Sequence, residues 1–148
     1  MTTYRSYAEL KKPRWSPPAW LFGPVWTFLY ALIAVSFGVV FYKFITGYFS
    51  AGVTTGTGVA TGQPAISALV ALPFALNLVF NFSFTYFQFK LKNNYLAAAD
   101  VLLVLATLIW ATLAILPRAP WLAAMQLPYL LWVAFATTLQ LSVTWLNR

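Results

Sequence analysis

The length of the uncharged stretches constrains this chain more than any other feature. Residues 15–42 carry no charge, and neither do residues 119–147. A helix crossing the hydrocarbon of a bilayer needs about 20 apolar residues, so each stretch can span a membrane with residues to spare. Inside hydrocarbon the backbone has no water to bond, and only helices or closed barrels satisfy it. These runs are continuous rather than alternating, which selects helices. The whole chain agrees: 61% of its residues are hydrophobic and 7% charged, against about a quarter charged in soluble domains, and the mean hydropathy is +0.76.

The expected fold is therefore all-α, a transmembrane helix bundle in one domain over 1–148. It has a loop at 1–19 and four crossings at about 20–44, 65–89, 95–116 and 121–145. Pro13, Pro17 and Pro18 stiffen the loop and suit the first turn of a helix near Ala19. Residues 46–64, with five glycines and five threonines, read as a flexible connection rather than helix. Pro73 predicts a kink in the second crossing. On the first, Ala31, Ala34 and Gly38 form a small-residue stripe suited to close helix contact. Four crossings return the chain to its starting side. That puts Arg5, Lys11, Lys12, Arg14, Lys90, Lys92 and Arg148 on one side and only Lys43 and Arg118 on the other. The positive-inside rule makes the first side, with both termini, cytoplasmic.

Composition removes most chemistry. With no cysteine and no histidine, the chain lacks thiolate nucleophiles, catalytic triads and the usual ligands for zinc, copper or haem. Its two acids, Glu9 and Asp100, lie on different segments, so a paired-carboxylate mechanism is not expected. A net charge of +7 interleaved with membrane spans does not make a nucleic-acid surface. No metal and no required cofactor are expected, and neither is conventional hydrolytic or metal catalysis.

What remains is recognition. Phe22, Trp26, Tyr30, Ile33 and Phe37 share one face of the first crossing, either to receive a ligand or to pack. Asn77 and Asn81 stand one turn apart in the second, and an amide in hydrocarbon must bond a neighbouring helix or a ligand. Asp100, near the start of the third crossing, is an intramembrane acid and so a functional candidate, although a nearby helix N-terminus would also stabilise it.

The chain resembles the TspO/MBR family, the tryptophan-rich sensory and translocator proteins. The match rests on Tyr7, Leu10, Lys12, Pro13, Trp15, Pro17, Pro18 and Trp20 in the loop, on Trp26, Leu29 and Tyr30, on Asn77 and Asn81, and on Pro128, Tyr129, Leu130, Trp132, Phe135, Ala136 and Thr137. The resemblance implies a five-helix bundle, often a homodimer, and here the family's first helix is expected to be missing. It implies a receptor or carrier for flat hydrophobic molecules, porphyrins and other tetrapyrroles among them. Tyr7, Pro17, Trp26, Asn77, Trp132 and Ala136 are the implied ligand-binding positions, with Asn77 meeting ligand and Asn81 a neighbouring helix. Lys11, Lys12 and Arg14 are positioned to meet ligand carboxylates. Two alternatives stay open: a light-dependent porphyrin-degrading enzyme acting through Trp132, and a non-binding regulatory partner subunit. Ser6 stands where degrading members carry a tryptophan, and the tail LQLSVTWLNR has no tyrosine for the animal cholesterol motif.

Overall fold

Prolines decide where the first helix begins. Pro18 holds an extended backbone (φ −63°, ψ 147°), after which a 3-10 turn over Ala19–Leu21 feeds helix α1, Phe22–Ala51. The computed structural model describes residues 9–51 and 66–148, and it is helical almost throughout these. Helix α2 is Ala68–Thr85, continued by a π-helical turn at Tyr86–Lys90; α3 is Asn94–Ile115 and α4 Pro120–Leu146. All four are long and apolar enough to cross a membrane. The chain is an integral, multi-pass membrane protein.

Local chemistry explains the boundaries. Lys92 takes a left-handed conformation (φ 53°) after the π turn, which reverses the chain. Asn93 then caps α3, its Oδ1 accepting from the backbone N–H groups of Tyr95 (3.0 Å) and Leu96 (3.2 Å). Arg118 donates from Nη1 to the Ala114 carbonyl at 3.1 Å, closing the end of α3. Pro120 occupies the first turn of α4, where its missing N–H costs nothing.

One expectation needs correction. Helix α1 runs on to Ala51, so residues 46–51 are helical rather than a flexible connection. Gly47 is the only glycine in that span, and the Thr46 hydroxyl bonds back to the Tyr42 carbonyl at 2.8 Å. The rest of the glycine-rich stretch lies outside the described residues. Helix α2 continues through Pro73 and leads into the π turn. The stripe Ala31, Ala34 and Gly38 points out of the bundle, and a Cβ added at Gly38 would meet nothing within 4 Å. Small residues permit close approach but do not choose the partner.

The bundle is packed tightly at one end. There Leu29, Ile33, Phe37 and Val40 of α1 are buried against Val70 and Phe74 of α2, Leu108 and Ile115 of α3 and Leu122 of α4. Phe37 and Phe74 meet edge to face with centroids 4.9 Å apart. Hydroxyls inside the helices satisfy themselves: Ser36, Ser83, Thr112 and Thr137 each donate to the carbonyl four residues back. The opposite end is held by the loop. Leu10 is buried with Leu139 and Val143, the Lys11 N–H donates to Asn147 Oδ1 (3.0 Å), and Asn147 Nδ2 donates to the Lys11 carbonyl (2.9 Å). The loop before α1 and the end of α4 thus lie at the same end of the bundle.

Candidate functional site

Between the loop and the packed end, α1 stands away from the other helices and leaves a cavity of about 470 Å³. Ligand pockets commonly measure about 300–1,000 Å³. One wall is α1, which presents Phe22, Trp26 and Tyr30 at four-residue spacing. Trp26 and Tyr30 lie ring against ring, 5.4 Å apart and 31° from parallel, forming one aromatic strip. Val101 and Val104 of α3 and Val133, Ala136 and Leu139 of α4 make the opposite, aliphatic wall. Polar groups enter from two directions: Asn81 and Tyr30 towards the packed end, and Thr85, Gln88 and Gln140 towards the loop. No lining side chain is formally charged, so the enclosed space suits an uncharged, flat and mostly apolar body.

Behind this cavity runs a chain of hydrogen bonds through all four helices. Tyr30 donates to Asn81 Oδ1 at 3.2 Å, and Asn81 Nδ2 donates to the Tyr129 hydroxyl at 2.8 Å. Tyr129 in turn donates to Asn77 Oδ1 at 3.0 Å. Asn77 Nδ2 ends the chain at the Val104 carbonyl (2.9 Å) and Thr107 Oγ1 (3.1 Å). In hydrocarbon these amides have no other source of partners.

The implied pocket positions divide on this geometry. Trp26 and Ala136 line the cavity. Asn77 does not: it is fully buried against α3 and α4, with its amide committed to them, and Asn81 is the asparagine that reaches the cavity. Both amides thus bond neighbouring helices, as expected for Asn81, and of the two only Asn81 also borders the cavity. One helical turn rotates the second about 40° round the axis, which sequence spacing registers but cannot orient. Trp132 also lies outside the lining. It packs on Phe22 (5.8 Å, edge to face) and Phe135 (5.5 Å), and its indole Nε1 is buried without a hydrogen-bond partner. Trp15 joins the same row through Phe135 at 5.8 Å. Trp132 thus braces the wall that Phe22 presents. Pro17, Lys11, Lys12 and Arg14 sit in the loop outside the lining, Lys11 and Arg14 exposed, and Tyr7 lies outside the described residues.

Gln88 and Gln140 were not singled out from the sequence. Gln140 lies four residues past Ala136 on α4, a spacing that a reader could have used. Gln88 lies seven residues past Asn81, with Thr85 between them at four, so helical spacing alone puts it on the Asn81 face. Asp100 is buried, 3% exposed, with Oδ2 lacking a hydrogen-bond partner, and it stands beside Val101 but outside the lining. Among the described residues no group of acids could hold a metal ion.

An aromatic strip facing buried amides within a bundle of long apolar helices agrees with the loop and helix motifs, and comparison with known proteins decides the family. The family model described as TspO/MBR family matches residues 1–146. The chain belongs to the TspO/MBR family. Its similarity to the tryptophan-rich protein TspO of Bacillus cereus is 33% identity over 141 residues, 95% of this chain and 80% of that one. To the human translocator protein it is 33% identical over 139 residues, 94% of this chain and 73% of the relative. To the protein CrtK of Rhodobacter capsulatus it is 33% over 144 residues, 95% and 78%. These alignments span the cavity-lining helices from α1 to α4, so in this TspO/MBR chain the described cavity is built from matched sequence.

Proposed function

We propose that this TspO/MBR chain is a membrane receptor or carrier for a flat, largely apolar ligand, with tetrapyrroles as the class. The cavity carries this reading: a Trp26–Tyr30 strip offers a face for ring stacking, and Asn81 offers an orienting amide. A tetrapyrrole's carboxylates would stay outside the uncharged lining, on the loop side, where Lys11, Lys12 and Arg14 are concentrated. The positive-inside distribution makes that side, with the ends of the chain, cytoplasmic. Light-driven degradation gains no support, since Trp132 stands behind Phe22 rather than against the space a ring would fill. Saturable quenching of tryptophan fluorescence by protoporphyrin at micromolar concentration tests the reading, and unsaturable or absent quenching in folded protein ends it. Unchanged porphyrin absorbance under illumination is the companion result expected.

A further inference from the structure

The cavity is pinned shut at its loop end and bordered by exposed side chains along one flank. At the loop end Leu10 is buried with Leu139 and Val143, both of which also line the cavity. Two further contacts hold the loop there. Lys11 and Asn147 exchange hydrogen bonds at 3.0 and 2.9 Å, and Trp15 meets Phe135 with ring centroids 5.8 Å apart. A ligand arriving from the aqueous side of the loop would have to undo all three.

The flank offers less resistance. On α3 and α4 the lining residues are buried, save the half-buried Ala136. Among the described residues that line the cavity, the exposed ones are Ala19 and Tyr30 on one edge and Thr85 and Phe89 on the other. The first two belong to α1 and the turn that starts it, the second two to α2 and its π turn. The exposed rim is therefore a slot between α1 and α2. Ala19 begins the first membrane span, and Tyr30 lies roughly 17 Å further along the axis, a little over half the thickness of the hydrocarbon. Phe28 and Phe82, close in sequence to the deep end of the slot, are exposed as lipid-facing side chains are. The slot thus opens into one leaflet, from headgroup level to near the midplane.

We propose that the cavity exchanges its ligand sideways with the loop-side leaflet through this slot, so that it takes molecules already dissolved in the bilayer rather than solutes reaching it from water. A flat, mostly apolar body leaves water for the leaflet before it meets the protein. Carboxylates on its edge would stay at headgroup level as it enters, beside the shallow end of the slot. This rests on the reading that the cavity takes a flat ligand, and it adds the compartment from which the ligand comes.

Exchange kinetics of the full chain in liposomes test the route. Bound zinc protoporphyrin is chased with excess protoporphyrin, and the two are told apart by their emission. Phe89→Ala cuts back the exposed rim, and it should speed association and exchange by similar factors of about threefold or more, as a wider passage does. Asn147→Ala releases the two-way clamp on the loop and should leave exchange within about twofold of the original. A second probe makes the distinction without a substitution. A phospholipid carrying a chlorin ring at the end of one acyl chain can reach the slot from the bilayer but cannot pass the loop. It should quench tryptophan fluorescence saturably and be displaced by protoporphyrin. Exchange that Phe89→Ala does not speed overturns the proposal, and faster exchange in Asn147→Ala alone moves the route to the loop. A tethered chlorin that protoporphyrin does not displace also overturns it, provided that protoporphyrin itself binds saturably. If protoporphyrin does not bind, the receptor reading falls first.

Discussion

The two halves of α1 are both uncharged yet do different things. From Leu29 to Val40 its inward side chains are buried in a continuous core, while from Phe22 to Tyr30 the same face borders open space. What differs is the opposite side. Facing the first set are Phe74, Leu108, Ile115 and Leu122, which fill the space against it; facing the second are Asn81, Thr85, Gln88 and Gln140 beside the aliphatic Val101, Val104, Val133, Ala136 and Leu139, which leave a cavity. In a bilayer lipid tails are as apolar as leucine, so helices associate through packing and polar bonds rather than through a hydrophobic drive. On the open half α1 is tied by one such bond, Tyr30 to Asn81, and beyond it the space stays open. The Tyr30–Asn81 bond ties α1 to α2 at the junction of the two halves.

The sharpest break of this comparison is made in the packed half. Phe37→Ala should remove the edge-to-face contact with Phe74 and leave a void. Because lipid is as apolar as the core, the loss is mainly the cavity term, about 2–3 kcal/mol for a void on the order of 100 Å³. Thermal unfolding of the empty protein should shift down accordingly while porphyrin affinity, measured where the protein stays folded, holds. An unchanged melting temperature would mean that this half is not packed as described.

Asn77→Leu comes next. Three hydrogen bonds at 2.9, 3.0 and 3.1 Å are lost from a fully buried position, and at roughly 0.6 kcal/mol each in membranes the cost is about 1–2 kcal/mol in the empty protein. Asn81→Leu loses two bonds at the cavity's edge, so it should cost less stability and remove more of the rise that saturating ligand produces. The reverse pattern in the two melting curves would return Asn77 to the ligand.

How far all this could be read in advance depends on what kind of information each feature needs. Helix number follows from apolar length, and four spans are found, although α1 runs past Lys43 to Ala51. The inward face of α1 was legible because Phe22, Trp26, Tyr30, Ile33 and Phe37 repeat at helical spacing, but its division into wall and core depends on residues from three other helices. Asn77 and Asn81 were legible as a pair needing partners; which one meets the cavity is fixed by the rotation of α2 against α3 and Tyr129, a tertiary quantity. Trp132 misleads for the same reason, being aromatic and at helical spacing yet occupied with Phe22 and Phe135.

On the open half, Trp26→Ala should separate binding from folding. The indole is half-buried and borders the cavity, and its main ring partner is Tyr30 on its own helix. Its removal should leave the melting temperature of the empty protein nearly unchanged and weaken porphyrin binding about tenfold, roughly 1.4 kcal/mol. A matching loss of stability would show that the strip is part of the core.

The smallest effect is expected at Asp100, and it tests whether anything besides the cavity makes the open half functional. An acid in a membrane helix is a functional candidate by default, and dipole stabilisation was the ordinary alternative. With α3 beginning at Asn94, Asp100 lies about 9 Å along the axis, past the first turn where that interaction fades. Neither does a hydrogen bond account for its buried Oδ2, which has no partner, and the side chain does not border the cavity. Since the group gains so little from its surroundings, a neutral side chain of the same shape should serve as well. Asp100→Asn should therefore change unfolding by no more than about 0.5 kcal/mol and leave porphyrin affinity within about threefold of the original. A larger loss of affinity at unchanged melting temperature would place the acid in the ligand's path and extend the site from the cavity wall into α3.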